Sequence, residues 1–171
     1  MIKPPTVLRG LTDRQKQLLS DSGHRFFVLP SGRRSRKTLI SMAKVLDTAL
    51  RTRDGRFFHG APVRQQAKDI FWDRIKNNTR YFWSKQPSET ELVVFLRNGA
   101  EIHVEGLDKA ERIEGQPWNG CHITEFANLK PDAWPAHVRP VLSDTMGFAI
   151  LDGVPEGRNH FYDLALDACN G

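Results

Sequence analysis

Lys37 and Thr38 close a basic stretch, Ser31-Gly32-Arg33-Arg34-Ser35-Arg36-Lys37-Thr38, whose residue types suit the handling of phosphate. A tight loop turns backbone N–H groups and a helix N-terminus toward an anion; a lysine ammonium adds a point charge, and a hydroxyl reaches Mg²⁺. Against the pattern G-x-x-x-x-G-K-[ST], the two glycine positions hold Ser31 and Arg36, so Gly32 is the glycine left in the loop. The residues alone leave two readings open, a nucleotide-phosphate loop or a basic turn on a nucleic-acid-binding surface. ATP hydrolysis also needs carboxylates at the end of a neighbouring strand, one organising Mg²⁺ and the next polarising the attacking water. Residues 121–127, Cys-His-Ile-Thr-Glu-Phe-Ala, put Glu125 in the second place and Thr124 in the first. A threonine can hold a metal-bound water but brings no charge, so Mg²⁺ would lean on Thr38 and the nucleotide phosphates.

The loop must be held between a strand and a helix, and its flanks read that way. The apolar run Phe26-Phe27-Val28-Leu29 precedes it, and Leu39, Ile40, Met42, Ala43, Val45 and Leu46 follow at helical spacing. Upstream, 11–19 reads as a short helix with Thr12 or Asp13 as N-cap and Gly23 as a stop. Downstream, 56–62 reads as a strand closed by Pro62, and 63–77 as a helix carrying Val63, Ala67, Ile70, Phe71 and Ile75. The runs 92–96 and 101–105 flank Asn98-Gly99, which predicts an antiparallel hairpin. Residues 121–123 and 146–152 are further strands, with a helix predicted over 131–142 starting at Pro131. The alternation predicts one α/β domain of three layers on a mostly parallel sheet, with an antiparallel addition.

Composition narrows the function. The chain has 171 residues, enough for one self-supporting core, and 25 Lys plus Arg against 20 Asp plus Glu give a net charge of +5. Such a balance favours a polyanionic partner. Its 2 cysteines, Cys121 and Cys169, have neither CxxC nor Cys/His ligand spacing, and the 6 histidines show no ligand spacing either. The histidines are read as structural or surface groups. No apolar run reaches the ~18–20 residues of a membrane span.

Taken in order, these blocks resemble the N-terminal ATPase domain of the large terminase subunit of tailed bacteriophages, over nearly the full length. Gly32-Arg33-Arg34-Ser35 with Lys37-Thr38 is similar to that family's arginine-rich P-loop. Gly60-Ala61-Pro62 with Gln65-Gln66-Ala67, then Asn98 to Ile102, Gly106, Glu114-Gly115 and Ile123 to Ala127, follow the family's order toward its acidic motif. Gly153-Val154-Pro155-Glu156-Gly157-Arg158-Asn159 resembles its G-x-P-x-G coupling segment.

The resemblance implies a P-loop NTPase of the RecA-like (ASCE) class that uses ATP and Mg²⁺. Ser31, Gly32, Arg33, Arg34, Ser35, Arg36, Lys37 and Thr38 would cradle the phosphates, and Gln15 would read the adenine. Thr38, and Glu125 through water, would hold the metal. Glu125 would position the attacking water, with Lys37 neutralising charge and Arg33 or Arg34 acting as arginine finger or γ-phosphate sensor. Gly153, Pro155, Gly157 and Asn159 would couple hydrolysis to movement, Asn159 either as a phosphate sensor or as a turn cap. Arg36 and Thr124 depart from the family's glycine and aspartate.

The implied protein is a motor that drives double-stranded DNA into a procapsid in the host cytoplasm. Its partners would be a small terminase subunit and a portal protein, and it would form a homo-oligomeric ring when assembled and a monomer as an isolated domain. On this reading residues 1–171 are the motor domain alone, without a C-terminal nuclease domain. The alternatives are a non-hydrolytic nucleic-acid-binding module and a helicase-type P-loop ATPase.

Overall fold

The computed structural model describes residues 12–170 except Arg33 and Pro155, and omits the side chains of Arg14 and Asn170. Six strands form its sheet: β1 Phe26–Pro30, β2 Arg56–Ala61, β3 Val93–Phe95, β4 Glu101–Gly106, β5 Gly120–Ile123 and β6 Phe148–Gly153. Their spatial order is β1-β6-β5-β2-β4-β3, parallel throughout except for β3 against β4. The central strands are buried from both sides, which is why β5 and β6 read as nearly continuous apolar runs rather than alternating ones.

Six α-helical segments accompany the sheet: α1 Asp13–Ser20, α2 Lys37–Arg51, α3 Arg64–Ala67, α4 Asp73–Thr79, α5 Arg139–Val141 and α6 His160–Asn170. One face of the sheet is covered by α1, α2 and the helical run from 64 to 79. There Phe57, Ala61 and Ile102 of the strands meet Ile40, Ala43, Leu46, Phe71, Trp72 and Ile75. The other face is covered by 3₁₀ turns at 107–113, the segment 133–141 and α6, which enclose Phe58, Cys121, Ile123 and Leu151 with Trp118, Trp134 and Phe161. The predicted three-layer α/β architecture is present, antiparallel hairpin included.

Local chemistry accounts for the joints. Thr12 caps α1 in a capping box with Gln15, as the sequence predicts for Thr12. The α1 C-terminus is tied to α2 by the buried Lys44, whose Nζ donates to the carbonyls of Leu18 (2.9 Å) and Asp21 (2.8 Å). Burial pulls this ammonium's pKa down, and the pull is opposed by Asp21 and Asp47. Gly99 turns the hairpin with φ +84°, and the Asn98 amide donates to the carbonyls of Ala49, Leu50 and Thr52 at the end of α2. That dipeptide therefore makes the hairpin and caps a helix.

Two helices differ from expectation. The helix predicted over 63–77 runs from Arg64 to Thr79 but widens into a π turn at Lys68–Trp72. The helix predicted to start at Pro131 instead begins as a π turn at Ala133–Val138, with only Arg139–Val141 in α geometry. Pro135 and Pro140 within this segment supply no N–H, so a regular i→i−4 ladder cannot form across it.

Candidate nucleotide-binding site

At the C-terminal end of β1 the chain leaves the sheet through the basic loop. The Ser31 N–H donates to the Gly153 carbonyl (3.1 Å), pinning the loop's start to the end of β6. Ser31 Oγ and Ser35 Oγ lie 3.0 Å apart and bridge the loop. Arg34 (φ +66°) and Arg36 (φ +60°) adopt left-handed backbone, and Arg36 is the N-cap of α2 without a side-chain capping bond. Glycine is the usual residue where a phosphate loop turns this way. Arginine takes the same conformation here at a cost of roughly 1–2 kcal/mol. The strain is local, and the loop still delivers Lys37 and Thr38 to the first turn of α2.

Lys37 Nζ donates to the loop's own carbonyls, Ser31 O at 3.0 Å and Gly32 O at 3.3 Å. Among the described residues it forms no ion pair, so no carboxylate there neutralises its charge. It faces a cleft of about 380 Å³ lined by Arg34, Lys37 and Thr38 on one side and Thr124, Glu125, Gly153 and Val154 on the other. Ile70 and Arg74 of the helical run form a wall, with Ala127, Asn128 and Glu156 at the rim. The fold thus joins the loop at 31–38 and the segment at 124–125, more than eighty residues apart in sequence. Strand β6 lies between their two strands.

Glu125 follows β5 in left-handed backbone (φ +52°) and is exposed to the cleft, with its Oε2 accepting from Gln66 Nε2 of α3 at 2.5 Å. Thr124 is buried at the cleft floor, and its hydroxyl donates to Asp152 Oδ1 of β6 at 2.7 Å. Asp152 Oδ2 lies 2.7 Å from His122 Nε2, and His122 Nδ1 lies 3.2 Å from His59 Nδ1. All four side chains are buried, and the chain of contacts crosses β2, β5 and β6 on the sheet face that α2 covers. Burial, reinforced by His122, pushes the His59 imidazole well below its ordinary pKa.

The other sequence candidates fall in different places. Ser35 and Arg36 are exposed on the loop and are not among the cleft-lining residues, and Gly32 is exposed in the loop with open space around its Cα. Gln15 lies at the start of α1, its side chain accepting from the Thr12 N–H at 2.9 Å. Asn159 caps α6, with Oδ1 accepting from the N–H groups of Phe161 and Tyr162, both at 3.1 Å. Gly157 has φ +66°, which fits a turn. Gly153 does not have positive φ: a Cβ there would stand 2.9 Å from the Phe161 ring, so close packing is what requires glycine. Arg33 and Pro155 lie outside the described residues.

Arg74 and Asp152 were not picked out by sequence as site residues, and Gln66 entered within the Gln65-Gln66-Ala67 block without a role. Gln66, Ile70 and Arg74 recur every fourth residue, a spacing that places one helical stripe on the cleft. Asp152 carried no local signal, since one acidic residue at a strand end is common.

No known family model and no curated protein matches the chain. Solved structures do. It superposes on the large terminase ATPase domain of Thermus phage P74-26 with a TM-score of 0.76 at 18% identity, over 95% of this chain and 74% of that one. It is similar to the large terminase of another thermophilic bacteriophage, solved in complex with ADP, with a TM-score of 0.72 at 14% identity, over 94% of this chain and 43% of that one. The HK97 bacteriophage large terminase gives a TM-score of 0.71 at 16% identity, over 94% and 37%. The ADP-bound protein was also solved with ATP-γ-S. The class is thus defined at the level of fold: a three-layer α/β domain on a mostly parallel six-stranded sheet. More particularly, the chain has the fold of the ATPase domain of phage large terminases, and it spans less than half the length of the last two proteins.

Proposed function

We propose that this chain is the ATP-hydrolysing motor domain of a viral large terminase, which moves double-stranded DNA into a procapsid. The observation that carries the reading is the facing of Lys37, Thr38 and Arg34 with Thr124 and Glu125 across one cleft, in the fold of nucleotide-bound terminase ATPase domains. Portal protein, small terminase subunit, a homo-oligomeric ring and action in the host cytoplasm belong to the same proposal. Among the described residues no helix is long and apolar enough to cross a membrane.

The residues fit the expected ligands. Among the described residues Lys37 is a cation bonded to main-chain carbonyls alone, which phosphate oxygens can displace with a stronger charge-assisted bond. Thr38, Thr124 and Glu125 offer oxygen donors suited to a hard cation. Among the described residues no group of three or more His, Cys, Asp or Glu could hold a metal alone, so phosphates and water would complete its shell. Mg²⁺ bound with the nucleotide would offset charge on the β- and γ-phosphates.

The protein's part is positioning and charge. Lys37 would neutralise the β/γ oxygens, and Arg34, with Arg33 beside it, can bridge two phosphate oxygens through a planar guanidinium. Arg74 adds positive charge from the opposite wall. Glu125, exposed and held by Gln66, would orient and deprotonate the attacking water in line with the γ-phosphate.

Calorimetry of Mg²⁺-ATP with wild type, Lys37→Ala and Glu125→Ala tests this. Saturable binding that is lost in Lys37→Ala and kept in Glu125→Ala is expected. A wild type that binds DNA in a salt-sensitive way but no nucleotide would overturn the reading in favour of a phosphate-gripping surface.

A further inference from the structure

The acidic pair that a P-loop ATPase places at the end of one strand is incomplete on β5, where Thr124 stands before Glu125. The missing carboxylate is present on the next strand. Residues 123 and 151 are partners in the β5–β6 register, so Thr124 and Asp152 lie side by side one step further along. Thr124 Oγ1 donates to Asp152 Oδ1 at 2.7 Å, and both side chains are buried, with Thr124 lining the cleft floor.

That bond fixes what the threonine can offer. A hydroxyl has one proton and two lone pairs. Its proton is committed to Asp152, so toward the cleft Thr124 presents lone pairs only. It can accept from a metal-bound water or approach a cation, but it cannot donate to a phosphate. A carboxylate acceptor also polarises the hydroxyl it binds, making that oxygen a stronger acceptor in turn.

Asp152 is itself held. His122 Nε2 lies 2.7 Å from its second oxygen, and the contact between the two Nδ1 atoms is satisfied when His59 donates to His122. No lysine or arginine among the described residues pairs with Asp152. A buried carboxylate without a cation is costly unless well hydrogen-bonded, and here each oxygen has a donor.

We propose that Asp152 is a positioning residue that replaces, from β6, the Mg²⁺-organising carboxylate absent from β5, acting through the Thr124 hydroxyl. The inference rests on the nucleotide-binding reading above. It differs from a purely structural role in that moving the carboxylate to β5 should make Asp152 dispensable.

The test is ADP affinity by calorimetry, in EDTA and in saturating Mg²⁺, for wild type, Asp152→Asn, Thr124→Val and the double variant Thr124→Asp/Asp152→Asn. Thermal melts monitor folding. Wild type is expected to gain affinity with Mg²⁺. Asp152→Asn and Thr124→Val should keep the affinity measured in EDTA within about twofold and lose most of the Mg²⁺-dependent gain, about tenfold, the scale of removing a group that orients a metal's ligands. The double variant should recover the gain. Should Asp152→Asn fail to fold, Thr124→Val and the double variant carry the comparison. An Mg²⁺ gain undiminished in Asp152→Asn or Thr124→Val, or equal losses with and without Mg²⁺, would overturn the inference while leaving nucleotide binding intact. A wild type that binds no nucleotide would overturn both.

Discussion

His59 should make the fold sensitive to mild acid, by an amount that can be worked out in advance. It is 1% exposed on β2, stacked on Phe71 at 4.9 Å between ring centroids, with His122 as its hydrogen-bond partner and, among the described residues, no carboxylate in contact. Burial is the larger cause that lowers its pKa and the neighbouring His122 the smaller, from an ordinary value of 6.5. In the folded chain the imidazole therefore stays neutral under conditions where the unfolded chain takes up a proton. Its contribution to stability is complete above the unfolded pKa and is lost as the pH falls below it. If the folded imidazole is still neutral at pH 5.5, the loss between pH 7.5 and 5.5 is about 1.4 kcal/mol.

Urea melts of wild type and His59→Gln at both pH values isolate this quantity. Glutamine keeps an N–H for His122, and the pH-independent cost of the substitution cancels in the double difference, as do titrating groups out of contact with residue 59, such as His103. Wild type should lose ~1.4 kcal/mol more than the variant on acidification, a midpoint difference of roughly 0.7 M urea for a slope near 2 kcal/mol/M. Equal losses in the two proteins, within about 0.3 kcal/mol, would refute the argument, because the native imidazole would then be titrating as freely as the unfolded one.

Three further outcomes are expected. Gly106→Ala should destabilise by about 1–3 kcal/mol in a thermal or urea melt, since the new Cβ would stand 2.3 Å from the Arg64 backbone nitrogen. In the folded protein at pH 8, a thiol reagent should modify the exposed Cys169 and spare Cys121, which is buried and whose thiol pKa burial pushes far up; counting modified thiols with and without denaturant checks this. On the proposed function, Glu125→Gln should leave nucleotide affinity within about threefold and lower ATP turnover at least ~10²-fold, measured under the conditions in which wild type turns over.

Much of this was local and therefore legible. Phe26 to Leu29 followed by a basic loop and an amphipathic run can form only a few structures, and the strand, loop and helix lie where periodicity puts them. Thr12 as N-cap and Asn98-Gly99 as hairpin turn are short-range chemistry. Other details failed for reasons equally physical. Pro135 and Pro140 interrupted the helix expected over 131–142, and the helix expected over 63–77 widens into a π turn at Lys68–Trp72.

What the sequence determined by itself was the alternation of strands and helices, the basic loop ending in Lys37 and Thr38 at the head of α2, and the place of Glu125 just after β5, because these depend on neighbours within a few residues. What only the tertiary structure decided was which distant groups complete the cleft. Strand order is set by burial of both sheet faces at once, and it inserts β6 between β1 and β5. That insertion puts Asp152 beside Thr124 and Gly153 against Ser31, and packing of the helical run brings Gln66 to Glu125. No spacing along the chain encodes those contacts, because they are made between groups that only the assembled sheet brings together.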